Sequence, residues 1–253
     1  MDSNIETGHN PEREKLLPSE DLKQIYEQLD FYSNREGKEE KLRQKKEMVE
    51  KIRSSEAFSQ LESTLQENPM LYIGSGSDIE LPLLLGAREV AMVERKEIID
   101  EIKSKLEDLG KDFDTTEKSD YIEIEFSFDF GDGEEEVQFK IYENEIYGSE
   151  DLVKDQKKQI QELQNKLKGD HDLTSRVNQI DRFETTEEFG AILTYSLVGQ
   201  QIDHDSQMFS KLKDGGYIIS DRKDNLTRTT EKDFEPVTEE DFLFTKKPSS
   251  EQG

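Results

Sequence analysis

Apolar residues in the first part of the chain recur at helical spacing. They begin just after Ser19, whose side chain can cap a helix, so a helix is expected to start there. A second helix is predicted from about residue 38 to beyond residue 65, with acidic and basic side chains four apart on its exposed side. It ends before Pro69, because the residue preceding a proline is driven out of the helical region. The pattern predicts an N-terminal helical segment over residues 19–68.

From residue 69 onward, short apolar runs alternate with amphipathic stretches. Strands separated by helices usually lie side by side with right-handed crossovers, so this alternation predicts an α/β fold with a mostly parallel sheet. Four strands are predicted, over residues 70–73, 89–93, 189–198 and 217–220. Four helices are predicted, over residues 78–85, 95–109, 149–168 and 202–212.

Two further stretches are typical of β-hairpins. Within residues 120–146, apolar and polar residues alternate on both sides of a Gly-Asp-Gly turn, which predicts a hairpin insertion with one apolar face. Near the C-terminus, residues 234–237 and 242–246 are predicted to pair and to add an antiparallel strand to the sheet. Residues 1–18 and 248–253 are polar and are expected to be disordered tails.

The net charge of the chain excludes some classes of binding partner. A formal net charge of -26 repels phosphate backbones and anionic lipids, so we expect no nucleic acid or membrane partner. The chain has no cysteine, and its three histidines are scattered, so no metal site is expected. No apolar run has the length of a membrane span and no signal peptide is evident, which predicts a cytoplasmic protein.

The residues that are candidates for binding a ligand lie in the stretch 71–94, LYIGSGSDIELPLLLGAREVAMVE. Gly74, Ser75 and Gly76 form a turn between a strand and a helix, where a ligand can approach the backbone. Glu94 ends the next strand and can accept hydrogen bonds from both ribose hydroxyls. Two cofactor classes use this arrangement: a dinucleotide, and S-adenosylmethionine, which carries a sulfonium cation in place of a pyrophosphate.

Asp78 favours the second class. A carboxylate close to a pyrophosphate would oppose its binding, whereas a sulfonium or an ammonium group would be attracted. The third glycine of the dinucleotide pattern is also missing, since Ile79 stands at its position.

The same run resembles the first two motifs of class I S-adenosylmethionine-dependent methyltransferases. Gly74 and Gly76 match the glycine loop of that family, and Glu94 matches its ribose-binding acid. The resemblance covers residues 69–247 and implies a Rossmann-like domain that transfers a methyl group from S-adenosylmethionine to a small-molecule or protein acceptor. Two positions depart from the family: Tyr72 stands where an acid is usual, and Asp78 stands where a third glycine is usual.

The resemblance also implies a site. The third strand would end near the adenine, and the fourth would end near the methyl group, where Tyr195 and His204 are the candidate catalytic residues. The implied cofactor-binding residues are Tyr72, Gly74, Ser75, Gly76, Asp78, Glu94, Asn144, Glu145 and Tyr195. Two alternatives stay open: a non-catalytic binding module that has kept the fold, and a nicotinamide-dependent oxidoreductase. The N-terminal helical segment is expected to lie over the acceptor site.

Overall fold

The structure is a computed structural model that describes residues 15–31, 39–73, 77–94, 98–143, 187–194, 211–220, 234–237 and 242–246. Among these residues the chain is an α/β protein built on one mixed sheet of nine strands. The helices are α1 (Glu20–Phe31), α2 (Glu39–Ser54), α3 (Phe58–Glu67), α4 (Glu80–Leu84) and α5 (Ile98–Asp108). The strands are β1 (Met70–Ile73), β2 (Glu89–Glu94), β3 (Phe113–Glu117), β4 (Tyr121–Asp129), β5 (Glu134–Glu143), β6 (Phe189–Thr194), β7 (Leu212–Ser220), β8 (Phe234–Pro236) and β9 (Leu243–Lys246).

The sheet has a parallel centre and antiparallel edges. Its order is β3-β4-β5-β2-β1-β6-β7-β9-β8. The five central strands, from β5 to β7, are all parallel. Pairing is antiparallel on both sides of this centre, between β3, β4 and β5 and between β7, β9 and β8. The predicted α/β class, the mostly parallel sheet and the antiparallel C-terminal strand are confirmed.

One hydrophobic core joins the N-terminal helices to the sheet. Leu22 of α1 and Ile52 of α2 are fully buried, and they belong to the same cluster as Met92 of β2 and Phe139 of β5. These side chains explain the helical spacing of apolar residues in the first part of the chain, because that spacing places them on one side of each helix. The predicted N-terminal helical segment is therefore packed on the domain that follows it. No helix of the described residues combines the length and the apolar character needed to cross a lipid bilayer.

Helix α3 packs closely on the sheet at one glycine. A β-carbon added to Gly190 of β6 would lie 2.7 Å from the Cβ of Asn68 and 3.0 Å from the Cγ2 of Thr64. At both distances the added β-carbon would be too close to its neighbour, so the neighbouring side chain or the backbone would have to move. Glycine at this position lets the end of α3 rest directly on β6.

The predicted long second helix is wrong, because it is broken into α2 and α3. At the break, the Ser55 hydroxyl donates a hydrogen bond to the Ile52 carbonyl at 2.7 Å, and the Ser54 hydroxyl donates one to the Lys51 carbonyl at 3.1 Å. Such side-chain hydrogen bonds compete with helix continuation. The change of direction then allows Leu61 and Leu65 of α3 to be buried in the core.

The predicted hairpin is confirmed, but it is a continuous part of the main sheet. Its second strand, β5, pairs in parallel with β2, and its first strand, β4, pairs with a third strand, β3, that the sequence did not predict. Strand β7 begins at Leu212, earlier than the strand that the sequence predicts over residues 217–220 and at the last residue of the helix that it predicts over residues 202–212. The helix predicted over residues 149–168 lies outside the described residues, as do 202–210.

Candidate functional site

The candidate site lies at the point where the order of the central strands reverses. From β1 the chain moves through α4 to β2 on one side, while β6 lies on the other side of β1 and continues to β7. In open α/β sheets, the carboxyl ends of the strands leave a crevice at such a point, and ligands bind there. Strand β1 ends at Ile73 and strand β6 at Thr194, so the glycine turn and Tyr195 directly follow the two strands that flank this position.

Glu94 lies at the same side of the sheet, where the carboxyl ends of the parallel strands lie. It is the last residue of β2, and it pairs with Glu143, the last residue of β5. Asn144 and Glu145 follow Glu143 directly in the sequence. Four neighbouring parallel strands, β5, β2, β1 and β6, therefore end at or directly before candidate residues. Of the sequence-predicted site residues, Gly74, Ser75, Gly76, Asn144, Glu145, Tyr195 and His204 lie outside the described residues.

Tyr72 and Asp78, two of the sequence-predicted cofactor-binding residues, are hydrogen-bonded to each other. The Tyr72 hydroxyl donates a hydrogen bond to Oδ2 of Asp78 at 2.8 Å. Both residues are buried, with 1% of Tyr72 and 7% of Asp78 exposed. The other oxygen of Asp78, Oδ1, accepts a hydrogen bond from the backbone N–H of Leu81 at 3.3 Å, which ties Asp78 to the first turn of α4. Both oxygens of the Asp78 carboxylate are therefore held by hydrogen bonds, one from the side chain of Tyr72 and one from the backbone of α4.

Two lysines from different helices complete a buried polar cluster. Lys45 of α2 forms an ion pair with Oδ2 of Asp78, and both side chains are largely buried. Lys105 of α5 donates hydrogen bonds to both carboxylate oxygens of Glu80, at 2.7 and 3.0 Å. We call Tyr72, Asp78, Glu80, Lys45 and Lys105 the buried polar cluster.

The two carboxyl groups of this cluster have opposite pKa shifts. Burial favours the neutral form of Asp78, but the charge of Lys45, with a hydrogen bond to Glu80, outweighs it and lowers the pKa of Asp78. Burial, followed by the negative charge of Asp78, raises the pKa of Glu80 to about 7, although Lys105 opposes the shift. Near neutral pH the cluster therefore holds an ionised Asp78 paired with Lys45, and beside Lys105 a second carboxyl group, Glu80, whose pKa lies close to that pH.

The charge of Asp78, on which the sequence argument for a cationic ligand depends, is paired with a lysine in the structure. Its carboxylate is buried and accepts hydrogen bonds from Tyr72, Lys45 and the backbone of Leu81. The nearby positive charge of Lys45 reduces the repulsion that a pyrophosphate would meet and the attraction that a sulfonium would feel. The choice between the two cofactor classes therefore has to depend on other features of the fold.

The sequence interpretation missed both lysines, although a signal was present. Lys45 lies three, four and seven residues before Met48, Val49 and Ile52, all of which are fully buried. This spacing places Lys45 on the core side of α2. Lys105 lies in the same way three residues after Ile102, which is buried on α5. A lysine on the apolar side of a helix indicates a buried ion pair, because an unpaired ammonium group there would be costly.

A separate cavity of about 210 Å³ lies at the opposite ends of the parallel strands, where β1 and β2 begin. Its lining is mostly polar and includes Asn68, just before β1, Arg88, just before β2, and Gln138 of β5. These residues lie where β1 and β2 begin, away from the carboxyl ends at which α/β sheets bind ligands. This cavity is therefore not the candidate site.

Comparison with known proteins adds no family to this geometry. No protein-family model matches the chain, and no curated protein matches it at a significant level.

Proposed function

We propose that this protein binds S-adenosylmethionine in a Rossmann-like domain and transfers its methyl group to a small-molecule or protein acceptor. The observation that carries the proposal is the position of the ends of β1 and β2, which neighbour each other at the reversal of strand order. The turn follows β1 at the reversal of strand order, and Glu94 ends the neighbouring strand β2. A carboxylate at the end of the second strand is well placed to accept hydrogen bonds from the hydroxyls of a ribose bound at the turn.

The order of the strands supports the Rossmann-like interpretation. When the outer hairpin strands β3 and β4 are set aside, the central order is β5-β2-β1-β6-β7, which is third, second, first, fourth, fifth along the chain. This is the order of the doubly wound sheets that bind nucleotides at their reversal point.

The strand beside β7 favours methyl transfer over a dinucleotide-dependent reaction. A dinucleotide-binding sheet of this order continues with a parallel sixth strand next to the fifth. Here the neighbour of β7 is β9, which is antiparallel, with β8 outside it. An antiparallel strand at this place is similar to the seventh strand of the methyltransferase family. This feature replaces the charge of Asp78 as the reason for preferring S-adenosylmethionine to a nicotinamide dinucleotide.

A non-catalytic binding module that has kept the fold is the second candidate, and the buried polar cluster favours it. The family pattern leaves an acid at the end of the first strand, whereas here the relocated carboxylate of Asp78 is taken up by Tyr72 and Lys45. Methyl transfer depends mainly on alignment of donor and acceptor, so a change in how the cofactor is held bears directly on turnover. Tyr195 and His204 remain the candidate catalytic residues on sequence alone.

Isothermal titration tests cofactor binding. We expect S-adenosylmethionine and its demethylated product to bind with a Kd on the order of micromolar, about -8 kcal/mol. Glu94→Ala should weaken binding at least about tenfold, because it removes the expected ribose contacts. Glu107→Ala, at an exposed position of α5, is the matched control and should bind like the wild type. Binding of NADH without either sulfur ligand would reject methyl transfer and the methyltransferase-like module together.

Methyl transfer itself needs a second assay. Incubation with S-adenosylmethionine labelled at its methyl group should transfer label to an acceptor in a fractionated extract, and Glu94→Ala should reduce that transfer. Binding of the cofactor with no labelled acceptor in any fraction would support the non-catalytic module.

A further inference from the structure

Strand β3 is an edge of the sheet, and in the part of the chain that the structure describes no strand lies on its outer side. Four of its five residues are exposed, and it contains no proline. An exposed edge of this kind presents unpaired N–H and C=O groups, to which another strand can be added. The other edge of the sheet differs, because β8 has only three residues and ends in Pro236.

The register of β3 shows which of its backbone groups point outward. The Lys118 N–H donates a hydrogen bond to the Tyr121 carbonyl at 2.9 Å, so these residues form a hydrogen-bonded pair at the turn between β3 and β4. Hydrogen-bonded and non-hydrogen-bonded pairs alternate along an antiparallel ladder, so every second residue of β3 bonds to β4. The residues between them direct their N–H and C=O groups away from the sheet: Phe113, Thr115 and Glu117.

A second copy of this chain can pair with this edge around a twofold axis. In an antiparallel pair of β3 strands, the outward residues of one copy have to lie opposite the outward residues of the other. With Thr115 opposite Thr115 of the second copy, Phe113 lies opposite Glu117 on both sides of the axis. All three outward residues of each copy are then bonded.

Opposite charges meet in this register. Asp112 lies opposite Lys118 of the second copy on both sides of the axis. The two residues are an even number of positions apart, so their side chains lie on the same face of the sheet. Lys118 forms an ion pair of 3.3 Å with Glu123 on that face, and 42% of its side chain is exposed. Its ammonium group is therefore accessible to the second carboxylate, and such cross-strand pairs stabilise a sheet.

The neighbouring registers bring like charges together. A shift of one step in one direction places Asp114 opposite Asp114 of the second copy, and a shift in the other direction places Asp112 opposite Asp120. Like charges that lie directly opposite each other destabilise a pair of strands. The charges along the edge therefore favour the register centred on Thr115. The net charge of -26 on each copy opposes association at long range, but salt at physiological ionic strength screens it beyond about 8 Å.

We propose that this protein forms a symmetric dimer through β3, in which the two sheets join into one continuous sheet with Thr115 on the twofold axis. Each copy contributes one short strand, so the interface is small and the dimer is weak, with a Kd on the order of 100 µM. Strands β4 and β5 separate β3 from β2, so the interface is distinct from the candidate site and does not depend on the proposed function.

Sedimentation equilibrium of the full chain at about 5 to 500 µM and physiological ionic strength tests the dimer. The dimer fraction should rise across this range. A wild type that stays monomeric throughout would overturn the proposal and leave the edge to a strand of another protein.

Thr115→Pro removes the outward N–H on the twofold axis. Proline is tolerated on an edge strand where the N–H faces solvent, so the variant should fold, and its urea midpoint checks this. Its dimer should be at least about tenfold weaker, whereas Thr115→Val, which keeps the N–H, should stay within about threefold of the wild type. An unchanged Kd in folded Thr115→Pro would show that the dimer uses another surface.

Charge variants test the register even if Thr115→Pro does not fold. Asp112→Lys and Lys118→Asp each place like charges opposite each other, and each should weaken its own dimer about tenfold. An equimolar mixture of the two variants restores opposite charges at both positions, so it should dimerise about tenfold more tightly than either variant alone. A mixture no tighter than its components would overturn the register.

The absence of cysteine from the chain allows a direct check by disulfide formation. Thr115→Cys places two thiols on residues whose Cα atoms are about 5.5 Å apart, within disulfide range. Thr116→Cys, the matched control at a neighbouring exposed position, places them about 7 to 8 Å apart on the diagonal. Under mild oxidation Thr115→Cys should form a covalent dimer about tenfold faster than Thr116→Cys. Equal rates would contradict a twofold axis at Thr115.

Discussion

Replacing Glu80 with glutamine should change how the stability of this protein depends on pH. Glu80 is 2% exposed and accepts a hydrogen bond from Lys105. Asp78 lies beside Glu80 in the buried polar cluster. Burial and the charge of Asp78 raise the pKa of Glu80 from its ordinary 4.5 to about 7. Glutamine has nearly the same shape and can still accept a hydrogen bond from Lys105, but it does not titrate.

The direction of the effect follows from the two pKa values. Between about pH 4.5 and 7, the folded protein holds a proton on Glu80 that the unfolded chain has released. Stability contributed by this proton is present at low pH and is lost as the pH rises through 7. The full difference corresponds to about 3 kcal/mol of unfolding free energy, which is an upper figure for a group coupled to its neighbours. The lowered pKa of Asp78 acts in the opposite sense, but only below its ordinary value of 3.8.

Urea unfolding at pH 5, 6, 7 and 8 measures the effect. The free energy of unfolding of the wild type should fall relative to that of Glu80→Gln by about 2 to 3 kcal/mol across this range. Contributions from the three histidines are common to both proteins and cancel in the difference. Glu101→Gln, at an exposed position of α5, should follow the wild-type curve. Parallel curves for the wild type and Glu80→Gln would show that Glu80 is ionised in the folded state throughout, and would refute the reasoning.

Three further experiments by urea unfolding test the packing of the fold and one ion pair. Gly190→Ala should destabilise the protein by about 1 to 3 kcal/mol, because the new methyl group would lie 2.7 Å from the Cβ of Asn68; an unchanged midpoint would mean that α3 does not rest on β6. Phe139→Ala should cost about 3 to 5 kcal/mol, since the ring is fully buried, and a loss under about 1 kcal/mol would contradict its place in the core. A double-mutant cycle on Arg88 and Glu135, which form two hydrogen bonds of 2.9 Å, should give a coupling energy of about 1 kcal/mol that decreases with added salt; zero coupling at low salt would show that the pair is not formed in solution.

The sequence predicted those parts of the fold whose side chains differ clearly in burial. Strand β1 was predicted with its observed ends, and the β4-β5 hairpin was predicted because its apolar and polar residues alternate. Strand β3 was missed because four of its five residues are exposed at the sheet edge, so Phe113–Glu117 carries no burial pattern. The break after α2 was missed because it arises from the hydroxyl groups of Ser54 and Ser55, which leave the apolar spacing intact.

The sequence predicted the strands that precede the candidate residues, but not the electrostatics around Asp78. The ends of β1 and β2 could be predicted to lie together, because neighbouring parallel strands end at the same side of a sheet. The sequence around Asp78 does not indicate that Lys45 is its partner, because Lys45 lies on a helix 33 residues upstream. It also belongs to a run of charged residues, and such a run ordinarily forms a solvent-exposed surface. Long-range pairing of a buried charge is a property of the packed structure.

The contacts of the first helix have a consequence for synthesis of the chain. Asp21 of α1 accepts a hydrogen bond from the backbone N–H of Asp129, 108 residues later, and the Ser19 hydroxyl donates to the carbonyl of the same residue. On the ribosome, at about 5 to 20 residues per second, this helix emerges roughly 5 to 20 seconds before the strand that receives it. During that interval the apolar side of α1, with Leu22 and Ile25, lacks its contacts with β4, and only the helices α2 and α4, which are synthesised earlier, can pack on it.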